Sequence, residues 1–143
     1  MTTPDLTAVV AATHDLWMRT NDLLGESLVE HQMTPATFQA LWLIDPDESP
    51  PSMKVMAERL YCNAPNLTFI SNQLADRGLV ERAVDPDDRR SRVLVLTAKG
   101  RQVRADLVRT VLEKTPLAAL SAGELKQLAA LLGRVARTDP LQA

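Results

Sequence analysis

The hydrophobic period of this chain changes near its middle, and this change limits the folds open to it. Before Gly78 the apolar residues recur at helical spacing, whereas residues 79–84 (LVERAV) and 93–96 (VLVL) are short runs containing β-branched side chains. Between these runs, DPDDRRSR contains the Pro and Asp typical of turns. Helical spacing returns after Thr97. We therefore predict a β-hairpin set between helical segments.

Four helices are predicted ahead of the hairpin, each opened by a capping residue or by a proline that a first turn tolerates. The predicted starts lie at Thr3, Thr34, Ser52 and Pro65. The first helix runs to about Glu30, because apolar residues recur at helical spacing along it. Residues 45–51 form a loop, since their three prolines cannot continue a helix. Gly78 ends the fourth helix.

Two further helices follow the hairpin. The fifth begins at Thr97 and ends near Pro116, and the sixth begins at the capping box formed by Ser121 and Glu124. The residues predicted to share one face of the fifth helix are Val103, Leu107, Val111 and Leu112. The predicted fold is mainly α, with the order αααα-ββ-αα in a single domain over residues 1–143.

Two short helices joined by a tight break and followed at once by a hairpin make a winged helix-turn-helix, whose second helix can enter the major groove of DNA. One face of that helix carries polar side chains able to read base edges or hold phosphate. These candidate DNA-binding residues are Asn63, Asn66, Thr68, Ser71, Asn72 and Gln73. Two other interpretations stay open: Asn63 caps the helix, and polar residues occupy any solvated face.

Arginines are concentrated in the turn of the hairpin. Arg89, Arg90 and Arg92 can reach into a narrow minor groove, whose negative potential attracts guanidinium groups. We predict that Asp88 pairs with a nearby guanidinium and fixes the loop. The alternative is an exposed charge run without a partner.

The net charge of −2 conceals an uneven distribution. Residues 53–105 carry ten Lys or Arg and six acidic residues, whereas the rest of the chain carries six and twelve. A basic middle can bind phosphate while acidic ends face elsewhere, so the charge pattern is compatible with DNA as a partner.

Three segments carry a resemblance to a known family: MKVMAERL at 53–60, NLTFISNQLADRGLVER at 66–82 and DPDDRRSRVLVLTAKGR at 85–101. With the helices that flank them, they resemble the MarR family of bacterial transcriptional regulators over nearly the whole chain. The resemblance implies a homodimer that binds a pseudo-palindromic operator in double-stranded DNA, more commonly as a repressor.

The resemblance also divides the chain into regions. It implies dimerisation helices within 1–31 and 98–143 and a winged helix-turn-helix DNA-binding region at 34–97. The recognition helix would span 64–77, and Arg90 would touch the minor groove. A small-molecule effector, often an aromatic acid or a drug, would bind between the dimerisation and DNA-binding parts.

Two residues depart from the family pattern. Phe69 stands where the family commonly has a basic or polar residue, and either contact with thymine methyl groups or simple packing explains it. Tyr61 stands where many helix-turn-helix breaks carry glycine, which leaves the geometry of the turn open.

The apolar stripes of the first helix and the last two are broader than a winged core of about 50 residues can cover. This excess predicts a partner subunit independently of the resemblance. In a two-fold dimer the recognition helices would meet half-sites about 10 to 10.5 base pairs apart.

The cysteine, histidine and tryptophan residues give little further evidence of function. Cys62 has no second cysteine, and we interpret it as a small buried hydrophobe rather than an oxidant sensor. His14 and His31 are too few for a zinc site, so no metal or cofactor is predicted. Trp17, Trp42 and His14 could line an effector pocket, but tryptophan on an apolar helix face is more often core, and no effector site is assigned.

Other functional classes find less support. The chain has no Gly-rich phosphate loop, nucleophile motif or metal motif, so no enzyme is predicted. No stretch approaches the roughly 20 apolar residues of a membrane span, and the start lacks a signal-peptide pattern, which predicts a soluble cytoplasmic protein. A winged helix that binds another protein is the alternative, and the arginines of the hairpin turn distinguish it from a DNA-binding one.

Overall fold

The computed structural model describes residues 3–136, and its elements follow the predicted order αααα-ββ-αα. They are α1 (Pro4–Glu30), α2 (Pro35–Leu43), α3 (Met53–Leu60), α4 (Ala64–Asp76), β1 (Val80–Val84), β2 (Arg92–Leu96), α5 (Ala98–Lys114) and α6 (Ala122–Ala136). A short 3-10 helix at Pro116–Ala119, which the sequence did not predict, joins α5 to α6. The outer ends of the predicted dimerisation segments, residues 1–2 and 137–143, lie outside the described residues.

The helices begin where the sequence predicts because their caps are local. Side-chain oxygens of the cap residues accept hydrogen bonds from backbone N–H groups of the first turn, which otherwise have no partner. These caps are Thr3, Thr34, Ser52, Asn63 and Thr97. At α6 the Ser121 N–H donates to Glu124 at 2.9 Å and the Glu124 N–H donates to Ser121 Oγ at 3.2 Å. The first of these bonds lowers the pKa of the Glu124 carboxyl below its ordinary value.

The core lies where α2, α3, α4, β2 and α5 meet. Each contributes a fully buried side chain to it, and each such burial stabilises the fold by about 1.5 to 3 kcal/mol. These side chains are Leu41, Met56, Leu74, Leu94 and Leu107. The end of α1 adds Leu24 and Leu28. This shared core sets the positions of α3, α4 and the hairpin relative to one another.

The hairpin pairs Val80 with Leu96 and Val84 with Arg92. Its buried residues are Val80 on β1 and Val93, Leu94 and Leu96 on β2, whereas residues 86–90 of its loop are exposed. A bridge between Ser52 and Val93 joins β2 to the start of α3. The wing is therefore attached to the helix-turn-helix by backbone contacts as well as by the core.

The start of α5 is fixed against the start of β1. Thr97 donates through its hydroxyl to the Gly78 carbonyl at 2.6 Å and through its N–H to the Leu79 carbonyl at 3.1 Å. Gly78 has φ +71°, a conformation that glycine adopts without strain. A Cβ added to Gly100 would lie 1.9 Å from the Leu79 carbonyl oxygen. Glycine at 100 therefore lets the helix approach the strand closely, which explains the LTAKG part of the sequence.

The outer helices leave much apolar surface uncovered. No described residue of α6 is buried, and the N-terminal part of α1 is exposed. Leu112 was predicted to share a face with Leu107 and Val111, and this prediction was wrong: Leu112 is exposed. The reason is geometric, because successive residues of a helix lie about 100° apart and Leu112 follows Val111 directly.

None of the helices within residues 3–136 combines the length and the apolar character that a membrane crossing requires.

Candidate nucleic-acid interface

The turn between α3 and α4 keeps a tight geometry although it lacks glycine. Tyr61 adopts the left-handed conformation, with φ +52° and ψ +38°, and its side chain is 94% exposed. The Cys62 N–H donates to the Ala57 carbonyl at 3.1 Å, and the half-buried Cys62 side chain packs against the core. Asn63 then caps α4, since its side-chain oxygen accepts from the Asn66 N–H at 2.9 Å.

One face of α4 packs on the core and the other is free. Leu67, Ser71 and Leu74 form the buried side. Of the predicted DNA-binding residues, four are exposed and Gln73 is half-buried. The exposed four are Asn63, Asn66, Thr68 and Asn72. The free side is polar except for Phe69, which is 62% exposed, so packing within the chain does not explain this residue.

Ser71 was predicted on the free face, and this placement was wrong. Its exposed fraction is 0%, its hydroxyl donates to the Thr68 carbonyl at 2.9 Å, and it accepts from the Arg82 guanidinium at 3.0 Å. Ser71 follows Leu67 by four residues and precedes Leu74 by three, which puts it on the buried stripe. The spacing alone would have predicted a buried Ser71. Because serine is polar, it was assigned to the solvent-exposed face instead.

Arg82 is a residue that the sequence reasoning missed. It lies on β1 and donates to Ser71 Oγ and to the side-chain oxygen of Asn72 on α4. The wing and α4 are therefore joined by a guanidinium as well as by the core. Because the Asn72 oxygen accepts from Arg82, its amide NH₂ group remains to donate elsewhere.

The loop of the wing is held by its own backbone and side chains. Asp88 Oδ1 accepts from the Arg90 N–H at 3.0 Å, and Asp88 Oδ2 accepts from the Ser91 hydroxyl at 3.2 Å. The Asp85 N–H donates to the Ser91 carbonyl at 3.1 Å. The predicted Asp88–guanidinium pair was wrong: within residues 3–136 no wing carboxylate forms an ion pair. A carboxylate two residues before a backbone N–H reaches that donor more readily than a long flexible side chain.

The three wing arginines are all exposed. The Arg92 guanidinium makes long hydrogen bonds to the Arg89 and Ser91 carbonyls, at 3.5 and 3.3 Å. The side chains of Arg89 and Arg90 have no hydrogen-bond or ion-pair partner in the described part of the chain. The wing therefore presents two unpaired cations beside each other.

Several basic residues between positions 53 and 105 donate hydrogen bonds within the fold, so their charges do not lie free on the surface. Arg77 donates to the His31 and Gln32 carbonyls, and Lys99 donates to the Arg77 carbonyl at 3.1 Å. Arg104 donates to the Leu41 and Trp42 carbonyls at the end of α2, at 3.2 and 2.8 Å. The count of ten basic residues thus overstates the charge available to phosphate.

A cavity of about 460 Å³ lies between α1, α2 and the end of α3. Its lining includes Trp17, Phe38, Trp42, Arg59 and Tyr61. The expectation that both tryptophans are core residues was wrong, because Trp17 is 58% and Trp42 is 40% exposed.

One arginine, Arg59, lines this cavity, and a second, Arg104, packs against the ring of Trp42 without lining it. The Arg59 side chain has no hydrogen-bond or ion-pair partner within residues 3–136. Arg104 lies 5.8 Å from the centre of the Trp42 ring, which holds that ring in place. His14 does not line the cavity. Across the described residues no three His, Cys, Asp or Glu side chains are grouped to hold a metal ion.

Comparison with known proteins agrees with this architecture. The MarR family model matches residues 33–91, which span α2 to the wing. The structure of NadR in complex with 4-hydroxyphenylacetate is 21% identical, with a TM-score of 0.75 over 96% of each chain. The transcriptional repressor CouR bound to a 23-mer DNA duplex is 26% identical, with a TM-score of 0.69 over 96% of this chain and 99% of that one.

A third structure is BpsR of Bordetella bronchiseptica, described for the regulation of its DNA binding by 6-hydroxynicotinic acid. It is 20% identical, with a TM-score of 0.68 over 92% of this chain and 94% of that one. These likenesses extend well beyond the winged segment into α1 and the last two helices. The match of the MarR family model to residues 33–91 and the shared winged helix-turn-helix fold show that the chain resembles the MarR family of transcriptional regulators.

Proposed function

We propose that the chain is a homodimeric, non-catalytic repressor that binds a pseudo-palindromic operator in double-stranded DNA in the cytoplasm. The observation that carries this proposal is the pairing of a free polar face on α4 with two unpaired arginines on the adjoining wing. A helix of this kind reads the major groove, and arginines suit the neighbouring minor groove. The DNA-bound CouR structure, of the same fold, supports this proposal.

The dimer is proposed from surface that the single chain leaves uncovered, within 1–31 and 98–143. In α6 the stripe formed by Leu125, Leu128, Leu131, Leu132 and Val135 has no buried member. In α1 the exposed apolar residues include Leu6, Val9, Val10 and Met18. Two chains that bury these surfaces against each other would place their reading helices about 10 to 10.5 base pairs apart.

Selection of bound duplexes from a random pool tests the proposal. The expected product is an inverted repeat with half-site centres one helical turn apart. Repeating the binding measurement at two salt concentrations should show affinity falling as salt rises, because phosphate contacts release counterions. Recovery of no enriched sequence, together with no salt-dependent binding, would refute DNA binding.

Arg90 offers the most direct test of the wing. Arg90→Ala should weaken operator binding by about 1 to 3 kcal/mol, roughly 5- to 150-fold, because it removes a groove contact. The fold should be unaffected, since the Arg90 side chain has no partner in the described chain. Fluorescence anisotropy with labelled operator measures the affinity. Lys126→Ala, on exposed α6, is the matched control and should bind as the parent does.

If Arg90→Ala binds DNA as tightly as the parent, the wing does not contact the groove. The alternative of a protein-binding winged helix would then be favoured, because such a domain does not require a cation at this position.

An aromatic carboxylic acid is the effector that we propose. The cavity beside Trp17 and Trp42 has the size of a small-ligand site, and Arg59 supplies an unpaired cation at its edge. Its walls come from α1 and from the end of α3, so a bound molecule contacts both the dimerisation helix and the helix-turn-helix. The small molecules named with NadR and BpsR, 4-hydroxyphenylacetate and 6-hydroxynicotinic acid, are both aromatic acids.

The two tryptophans of the chain both line this cavity, so their fluorescence reports on its occupancy. Titration with 4-hydroxyphenylacetate should change the emission, and Arg59→Gln should weaken binding about tenfold by removing a charged hydrogen bond. The neutral amide of the same acid should bind parent and variant equally. Equal affinity of the acid for both proteins would rule out Arg59 as its partner.

A further inference from the structure

Phe69 occupies the middle of the free face of α4. At about 100° per residue it lies roughly opposite Leu67, Ser71 and Leu74, which form the buried side. Its ring is 62% exposed, and one side of it lines a groove between α2 and α4. The largest side chain on the proposed reading surface is therefore apolar and points away from the core.

The same face carries no cation. The sequence of α4, APNLTFISNQLAD, contains neither Lys nor Arg, and the following Arg77 is engaged by the His31 and Gln32 carbonyls. Arginine and lysine are the side chains that most often select guanine in the major groove. The side chains with which this helix could contact the edges of bases are therefore mainly amides and one aromatic ring.

An aromatic ring has one apolar partner on the base edges of the major groove, the 5-methyl group of thymine. Asn66 precedes Phe69 by three residues and Gln73 follows it by four, so both amides lie on the same side of the helix one turn away. Amides of this kind pair with adenine. The neighbours of Phe69 thus favour the same A·T base pairs that the ring itself would select.

We propose that Phe69 contacts the 5-methyl group of a thymine in each half-site of the operator and makes that position specific for T. This inference rests on the proposed DNA binding and adds to it the chemical group that the helix recognises. Phe69 is then a specificity-determining residue whose contact depends on a single methyl group.

Replacing thymine by deoxyuridine in the selected operator tests the inference, because uracil keeps every hydrogen-bonding group and lacks only the methyl. At one position in a single half-site, the replacement should lower the affinity of the parent protein about fourfold, because the burial of one methyl group is lost. Replacement in both half-sites should lower it roughly fifteenfold, the product of two such effects. Binding is measured by anisotropy under one salt condition.

Phe69→Ala should bind the thymine operator more weakly and should bind the thymine and uracil operators equally. Phe69→Leu, which keeps an apolar side chain, should retain part of the difference. Val29→Ala removes another exposed apolar side chain, at the end of α1, and should leave the parent's thymine preference unchanged. Circular dichroism melting should show all three variants folded.

Operator binding that is indifferent to uracil at every position overturns the inference while leaving DNA binding intact. A uracil effect that persists in Phe69→Ala overturns it as well, because another residue then contacts the methyl. Failure to bind any duplex would instead refute the proposed function and this inference with it.

Discussion

Replacing Gly100 with alanine is expected to destabilise the protein by about 3 kcal/mol, the upper end of the usual cost of overpacking. The added Cβ would lie 1.9 Å from the Leu79 carbonyl oxygen and 2.8 Å from its carbonyl carbon. Both are backbone atoms of Leu79, the residue before β1, so no side chain can rotate to make room. Either α5 or the strand must move, and both contribute fully buried residues to the core.

Chemical denaturation followed by circular dichroism measures this loss. Gly25→Ala is the matched control, because a Cβ at Gly25 meets no atom within 4 Å. Since alanine is the better helix former inside α1, this control should be stabilised by about 0.5 to 1 kcal/mol. If Gly100→Ala unfolds at the same denaturant concentration as the parent, the close approach of α5 to β1 does not limit stability.

Local signals account for the parts of the fold that the sequence predicts well. The caps at Thr3, Ser52 and Thr97 act within one turn of the chain, so they are visible without knowledge of the tertiary structure. The change of hydrophobic period around residues 79–96 likewise reports directly on the hairpin. The order of the six α-helices and two strands follows from such features alone, whereas the short 3-10 helix at Pro116–Ala119 was not predicted.

Contacts between distant residues account for most of what was missed. Arg104 reaches carbonyls at the end of α2, and Arg77 reaches those that follow α1, more than 40 residues away in the chain. A count of charges cannot separate such arginines from free ones. Ser71 illustrates a related limit, because Arg82 provides the partner that allows a polar residue to be buried.

The candidate site likewise contains features that local sequence predicts and features that depend on contacts between distant residues. The exposure of Asn66 and Asn72 follows from helical periodicity, but the role of Asn72 as an acceptor for Arg82 depends on how the hairpin folds back. The cavity beside Trp17 depends on how α1, α2 and the end of α3 pack together. Sequence reasoning could suggest the aromatic residues but could not bring them together.

Leu132→Lys, in the middle of the apolar stripe of α6, is expected to lower operator affinity by a factor of about 10² to 10⁴ without touching the DNA-binding region. A dimer with two linked reading helices binds its operator more tightly than a monomer by about this factor, because binding of the first helix holds the second close to its half-site. A lysine in the proposed dimer interface would leave a charge without water or a partner, at a cost of several kcal/mol. The dimer, and with it the gain, should be lost.

Light scattering after size-exclusion chromatography should then give a mass near 15.7 kDa for Leu132→Lys and twice that for the parent. Ala130→Lys places the same charge on the same helix about 160° around its axis, and it should remain dimeric and bind normally. Because no described residue of α6 is buried in the single chain, the Leu132→Lys monomer should keep its fold, which circular dichroism checks. If Leu132→Lys is dimeric and binds with parental affinity, the dimer interface does not include Leu132. If the parent is monomeric and still binds DNA tightly, dimerisation is not required for operator binding.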